Sequence, residues 1–175
     1  MNQLVATPVQ LRAEHAGDHA AIYDLTKRAF APMPYSGGDE QDLIDALRHA
    51  GALEISLVAE QDDTLVGHIA FSPAFTEEGA GGWFALGPVS VEPQLQKTGI
   101  GSALIKQGLA VLQDRNAKGC VLVGNPDYYG RFGFEPAPES CPEGEPAEYY
   151  QMLPMKADRT DYVVGSHKLF HAELN

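Results

Sequence analysis

The sequence predicts one mixed α/β domain, with helices inserted into a mixed sheet that starts and ends antiparallel. Three observations predict it. Strand-sized apolar runs and helix-spaced apolar runs follow one another along the chain. The nearly all-apolar stretch Gly119 to Gly124 suits a strand covered on both faces. No repeat or linker divides the 175 residues, a length that fits one domain spanning 1–175 with a full core.

Val9 to Ala13 reads as a first strand. Asp18 to Phe30 follows as an amphipathic helix, with Ala21, Ile22, Leu25 and Ala29 near helical spacing. Ala31 to Gly38 is a loop by composition. Asp39 to Ala50 is a second helix whose apolar face is Leu43, Ile44 and Leu47, with Gly51 as its stop. Ile55 to Glu60 and Thr64 to Phe71 form a hairpin around Gln61-Asp62-Asp63. Glu78 to Gly82 is a Gly-rich turn before a strand from Trp83 to Val91, closed by Pro93. Gly99 to Asp114 is a helix that can bury Ile100, Leu104, Leu109 and Leu112, and Gly119 to Gly124 is the next strand. Pro126 to Phe132 makes a short helix and Gly133 to Pro136 a strand entry. Ala137 to Glu148, rich in Pro and Glu, is a surface loop; Tyr149 to Met155 and Tyr162 to Phe170 are closing strands.

Twelve basic residues against 24 acidic ones give a net charge of −12, which argues against a phosphate-backbone ligand and predicts no nucleic-acid partner. The same charge favours a cationic partner by long-range attraction, although it also serves solubility alone. No apolar run approaches the ~20 residues that span a bilayer, so no membrane partner is expected. Met1 to Gln10 lacks the pattern of a signal peptide. Cys120 and Cys141 make no disulfide framework, and a reduced, cytoplasmic protein is expected. The six histidines show no convincing metal spacing; His15 and His19 straddle Gly17 without a third ligand, so no metal is expected.

The segment WFALGPVSVEPQLQKTGIGS, Trp83 to Ser102, runs from strand through turn into helix. Gly99 and Gly101 let a ligand approach the backbone, and the N–H groups at the helix start form an anion site. Lys97 and the hydroxyls of Thr98 and Ser102 can add donors, so phosphate or pyrophosphate is the natural ligand. The P-loop string is absent, and the dinucleotide fingerprint fails at Leu104. Gly-x-Ser-x-Gly is also absent, which removes the hydrolase nucleophile elbow. What remains is Gln96-x-x-Gly99-x-Gly101 after a strand, whose glycines could equally fit a tight turn.

This stretch resembles the coenzyme A-binding motif of the GNAT acetyltransferases, and the string from Gly124 to Phe134 resembles that family's second signature. There an Asn, here Asn125, ends a strand, and a Tyr, here Tyr129, stands four residues before the Gly of Gly133-Phe134. The resemblance covers residues 8–137, is closest to a subgroup of small bacterial-type members, and fades across 138–161. It implies a GNAT fold in which two central parallel strands, Trp83 to Val91 and Gly119 to Gly124, splay apart. It implies acetyl-CoA (coenzyme A) as acyl donor, its pantetheine arm pairing near Val89 and Val91 and its pyrophosphate resting on the N–H groups of Lys97, Thr98, Gly99, Ile100, Gly101 and Ser102, with Gln96, Asn125 and Tyr128 also binding the coenzyme. The activity implied is N-acetyl transfer to a primary amine of a small molecule or peptide, by direct attack in a ternary complex. An N–H near Val89 would face the oxyanion.

Tyr129 matches the family's proton donor to the leaving thiolate, against the alternative that Tyr128 and Tyr129 merely pack with Phe132 and Phe134. No base is assigned: His68 reads as a core histidine, Glu92 as solvent-facing, and Glu77 and Glu78 as a solvated turn. Cys120 reads as inert core. A non-catalytic acyl-CoA-binding protein on the same fold, a protein N-terminal or lysine acetyltransferase, and a module for another nucleotide stay open. Relatives suggest a homodimer, for which the sequence carries no interface signature.

Overall fold

Alternation along the second strand sends successive residues to opposite cores, and this places helices on both sheet faces. The computed structural model describes residues 7–76, 79–156 and 164–165. Strands β1 (Gln10–Ala13), β2 (Ile55–Gln61), β3 (Thr64–Thr76), β4 (Gly79–Val91), β5 (Gly119–Val123), β6 (Glu135–Pro136), β7 (Tyr150–Pro154) and β8 (Val164–Gly165) form one mixed sheet. Helices are α1 (His19–Phe30), α2 (Glu40–His49), α3 (Ile100–Asp114) and the short α4 (Pro126–Tyr129). Ile55, Leu57 and Ala59 of β2 join Phe71, Ile100, Leu104 and Leu112 in the core beneath α3. Val58 packs on the other face with Ile22, Ile44 and Leu65, beneath α1 and α2.

The strand order is β1-β2-β3-β4-β5-β7-β6, with β8 on β3. All pairs are antiparallel except β4 with β5, which run parallel. The connection between those two is α3, as a parallel crossover requires. Gly108 of α3 sits against the Phe71 ring so closely that an added Cβ would meet Phe71 Cε2 at 2.3 Å. The missing side chain is what lets this helix lie on β3.

Several expectations need correction. β3 runs to Thr76, beyond the expected end at Phe71. Pro73 fits there because β2 ends opposite Phe71 and β8 pairs only with Phe75 and Thr76, so the missing N–H falls in the gap between the two ladders on that side. Gly79 to Gly82 belong to β4 and do not form the expected turn; a bulge between the pairs Ala74–Trp83 and Phe75–Ala80 absorbs Gly81 and Gly82, the latter at φ +84°. The segment Ala137 to Glu148 is not wholly superficial: a 3-10 turn at Pro138–Ser140 buries Ala137 and Ser140. Of the expected last strand, Tyr162 to Phe170, only Val164–Gly165 lies within the described residues, and it pairs with Phe75 and Thr76. Among the described residues, no helix is long and apolar enough to cross a membrane.

Candidate active site

The parallel pair β4–β5 is joined by three rungs only, Trp83–Gly119, Phe84–Cys120 and Ala85–Val121. Immediately beyond, β4 carries a bulge: Ile69 and Phe71 of β3 face Val89 and Leu86, leaving Gly87 and Pro88 opposite Ala70 alone. A bulge bends its strand, and here it turns Val89 to Val91 out of register with the end of β5. The expected fork is therefore present, and the sequence marks it with Gly87-Pro88. The direction of its backbone groups follows from the register. Glu92 N–H donates to Val66 O at 2.9 Å, and His68 pairs with Ser90, so these residues turn their peptide groups toward β3. Those of Val89 and Val91 point the opposite way, into the fork. Gln96 Nε2 already occupies the Val91 carbonyl at 3.3 Å.

The loop after β4 turns sharply at Lys97 (φ 63°) and Gly99 (φ 97°) before α3 begins at Ile100. The first intrahelical bond runs from Ala103 N–H to Gly99 O, so Ile100, Gly101 and Ser102 hold helix-start N–H groups outside the ladder. Thr98 does not offer its hydroxyl outward as expected; Oγ1 donates to Leu95 O at 2.5 Å and braces the turn. Lys97 is exposed beside these amides.

Across the fork, β5 hands the chain to α4. Asn125 caps that helix: its Oδ1 accepts from Asp127 N–H at 3.0 Å, and its backbone carbonyl accepts from the N–H groups of Tyr128 and Tyr129. Its side chain is thus committed to the turn. Tyr128 Oη reaches the start of α3, 3.3 Å from where a Cβ on Gly101 would stand, with the Arg131 guanidinium 4.6 Å above its ring. Tyr129 lies edge-on to Tyr128 at 4.9 Å and to Phe134 at 6.1 Å, and its ring covers Gly124. Burial pushes the Tyr129 phenol up, with Tyr128 and Tyr35 adding to the push, so its proton is retained at neutral pH. Among the described residues, no hydrogen bond reaches its hydroxyl. The fold thus gathers Val89, Val91, the Gln96–Ser102 loop, Asn125, Tyr128 and Tyr129 around one fork.

Tyr35, 77% exposed on the α1–α2 loop, is close enough to add to the upward push on the Tyr129 phenol. His68 is a core residue: its Nε2 meets Ser56 Oγ at 2.8 Å, and Ser56 donates to Glu14 at 2.5 Å. Since the one hydroxyl proton goes to Glu14, Nε2 is the protonated ring nitrogen and Nδ1 is left buried without a partner. Glu92 is not solvent-facing as expected but ion-pairs with Arg28 of α1 at 2.8 Å. Glu77 and Glu78 lie outside the described residues. Among the described residues, no cluster of His, Cys, Asp or Glu could hold a metal ion. Cys120 is fully buried, and burial pushes its thiol up.

Residues 19–134 match the Acetyltransferase (GNAT) family. The chain belongs to the GNAT family. Its relatives include the uncharacterized N-acetyltransferase YhbS of Escherichia coli (strain K12), 31% identical over 126 residues, which covers 71% of this chain and 72% of that protein. Among solved structures, a GNAT family acetyltransferase from Brucella melitensis in complex with acetyl-CoA superposes with a TM-score of 0.84 at 43% identity, over 94% of this chain and 99% of that one. Escherichia coli YhbS in complex with CoA superposes with a TM-score of 0.85 at 26% identity, over 98% and 97%. The forked mixed sheet flanked by helices is accordingly the GNAT fold, and this GNAT chain is an acetyltransferase by family.

Proposed function

We propose that the protein is an N-acetyltransferase that carries acetyl from acetyl-CoA to the primary amine of a small molecule or peptide, within a ternary complex. The observation that carries this reading is the fork itself, which leads from the free N–H groups at the start of α3, past Val89 and Val91, to a protonated Tyr129. A pyrophosphate suits the helix-start amides of Ile100 to Ser102 with Lys97 beside them. An amide-bearing arm suits the strand-like edge of β4, and the Val89 N–H, which points into the fork, suits a developing thioester oxyanion.

An acceptor that arrives as an ammonium first gives one proton to solvent; the neutral amine nitrogen then forms a bond to the thioester carbon, and the C–S bond breaks. The departing sulfur takes the Tyr129 proton, and the proton shed by the nitrogen returns through water to the phenolate. The products are the amide and free CoA thiol, with no covalent enzyme intermediate. A net charge of −12 draws in a cationic acceptor, such as a polyamine, an amino sugar or a lysine-like amine.

Calorimetric titration with acetyl-CoA, ATP and NAD tests the donor. Selective binding of acetyl-CoA is expected, weakened ~10-fold or more in Gly99→Glu, where φ is +97° and a negative charge is added to the anion loop. Equal binding by the variant, or preference for ATP or NAD, overturns the assignment. Turnover against an amine panel tests the acid: Tyr129→Phe should lose ~100-fold or more with donor affinity retained.

A further inference from the structure

We infer that Gln151 is a positioning residue that sets Tyr129 through the end of β5. This rests on the proposed role of Tyr129 as proton donor. Gln151 sits on β7 opposite Leu122 and is fully buried. Its Nε2 donates to Gly124 O at 2.8 Å and lies 3.5 Å from Tyr149 O, while its Oε1 is buried without a partner. A buried amide with half its capacity unused is costly, so its place has to be explained by what the other half holds.

What it holds is the point where β5 stops being a strand. Gly124 N–H donates to Tyr149 O, the final backbone rung between β5 and β7. With β4 splayed away after Ala85–Val121, the Gly124 carbonyl has no strand beside it. The Gln151 carboxamide supplies the missing donor and reaches both strand ends at once. Tyr129 is built on that same glycine: an added Cβ on Gly124 would meet Tyr129 Cε2 at 2.5 Å and Cδ2 at 2.9 Å. The Tyr129 N–H bonds to Asn125 O, one residue beyond. Ring and backbone of Tyr129 thus both take their position from a segment whose carbonyl Gln151 fixes. Without that donor, Gly124 O loses its hydrogen-bond partner while Tyr149 O keeps only the Gly124 N–H, and the segment under the ring is free to rotate.

The test is NMR on protein with 13Cζ-labelled tyrosine, the Tyr129 signal being the one of seven lost in Tyr129→Phe. CoA is the probe. In the parent protein CoA should shift the Tyr129 signal as the thiol approaches the phenol. Gln151→Leu should bind CoA within about threefold of the parent, as its anion loop is untouched, yet show less than about half the shift. Gln151→Glu should recover the shift near about pH 6, where a buried carboxyl is protonated and can donate to Gly124 O. It should lose the shift near about pH 8, where a carboxylate cannot donate. A merely structural role gives no such pH dependence, and Gln151→Glu decides alone if Gln151→Leu does not fold. A full shift in Gln151→Leu, a pH-independent shift in Gln151→Glu, or loss of CoA binding with either overturns the inference and leaves Tyr129 as proton donor intact. A parent Tyr129 signal unmoved by CoA sinks the proton-donor role itself, and Gln151 with it.

Discussion

Lowering the pH from 7.5 to 5 should remove stability through one buried imidazole. His68 is held from the ordinary value of 6.5 down to about 4, chiefly by burial; the attraction of Glu14 opposes this, and the charge of Arg48 reinforces it. The unfolded chain therefore takes up the proton first. Stability from this group is whole above about pH 6.5, declines as pH falls through the window, and stops declining below about 4. Each pH unit inside the window removes about 1.4 kcal/mol, so the loss down to pH 5 is about 2 kcal/mol, of about 3 kcal/mol in all. Glu14 acts in a different range. Burial pushes its carboxyl up, but hydrogen bonds from Arg48 and Ser56 outweigh that and leave it below 4.5, so its contribution is lost only at lower pH. Urea unfolding of the parent and of His68→Gln, at both pH values, separates the two. The glutamine can still donate to Ser56 and does not titrate, so the parent should lose about 2 kcal/mol more than the variant between pH 7.5 and 5. Parallel losses would refute a neutral, buried His68.

Gly108→Ala should destabilise the fold by about 1–3 kcal/mol, read as a lower midpoint in urea or thermal melts, because the new methyl group meets the Phe71 ring at 2.3 Å. Arg28→Gln should change stability by less than about 1 kcal/mol in the same melts, since the Arg28–Glu92 pair leaves the arginine side chain 52% exposed. A thiol reagent applied to the native protein should label Cys141, which is part-exposed, and spare Cys120 until the chain unfolds; peptide mapping by mass spectrometry distinguishes the two.

The parts of the site legible in the sequence are those where chemistry and backbone demand coincide. Gly99 and Gly101 announce the helix start because a tight left-handed turn and an open N-terminus both call for glycine. The run Cys120 to Leu122 announces a doubly covered strand because Val121 and its neighbours face different cores. The residues that escaped notice depend on contacts far apart along the chain. Gln151 looks like any polar residue in a strand until Gly124 stands above it. Glu92 next to Pro93 reads as turn surface, and its arginine partner comes from 64 residues earlier. Pro73 and the glycines from Gly79 to Gly82 read as breakers, and only the gap between the β2 and β8 ladders and the presence of a bulge make them compatible with long β3 and β4.

The three rungs between β4 and β5 also divide the molecule's mechanics. On one side stand β1 to β4 and on the other β5, β7 and β6, sharing one short seam of backbone ladder. Whatever lodges in the wedge beyond the seam and bonds to both of its edges becomes a strut between two half-sheets. Occupancy and cohesion are then one equilibrium: a ligand present at a hundred times its dissociation constant adds about 2.7 kcal/mol to the folded state. Its imprint would be slower amide exchange at Val89, Val91 and the end of β5, well before any product is measured.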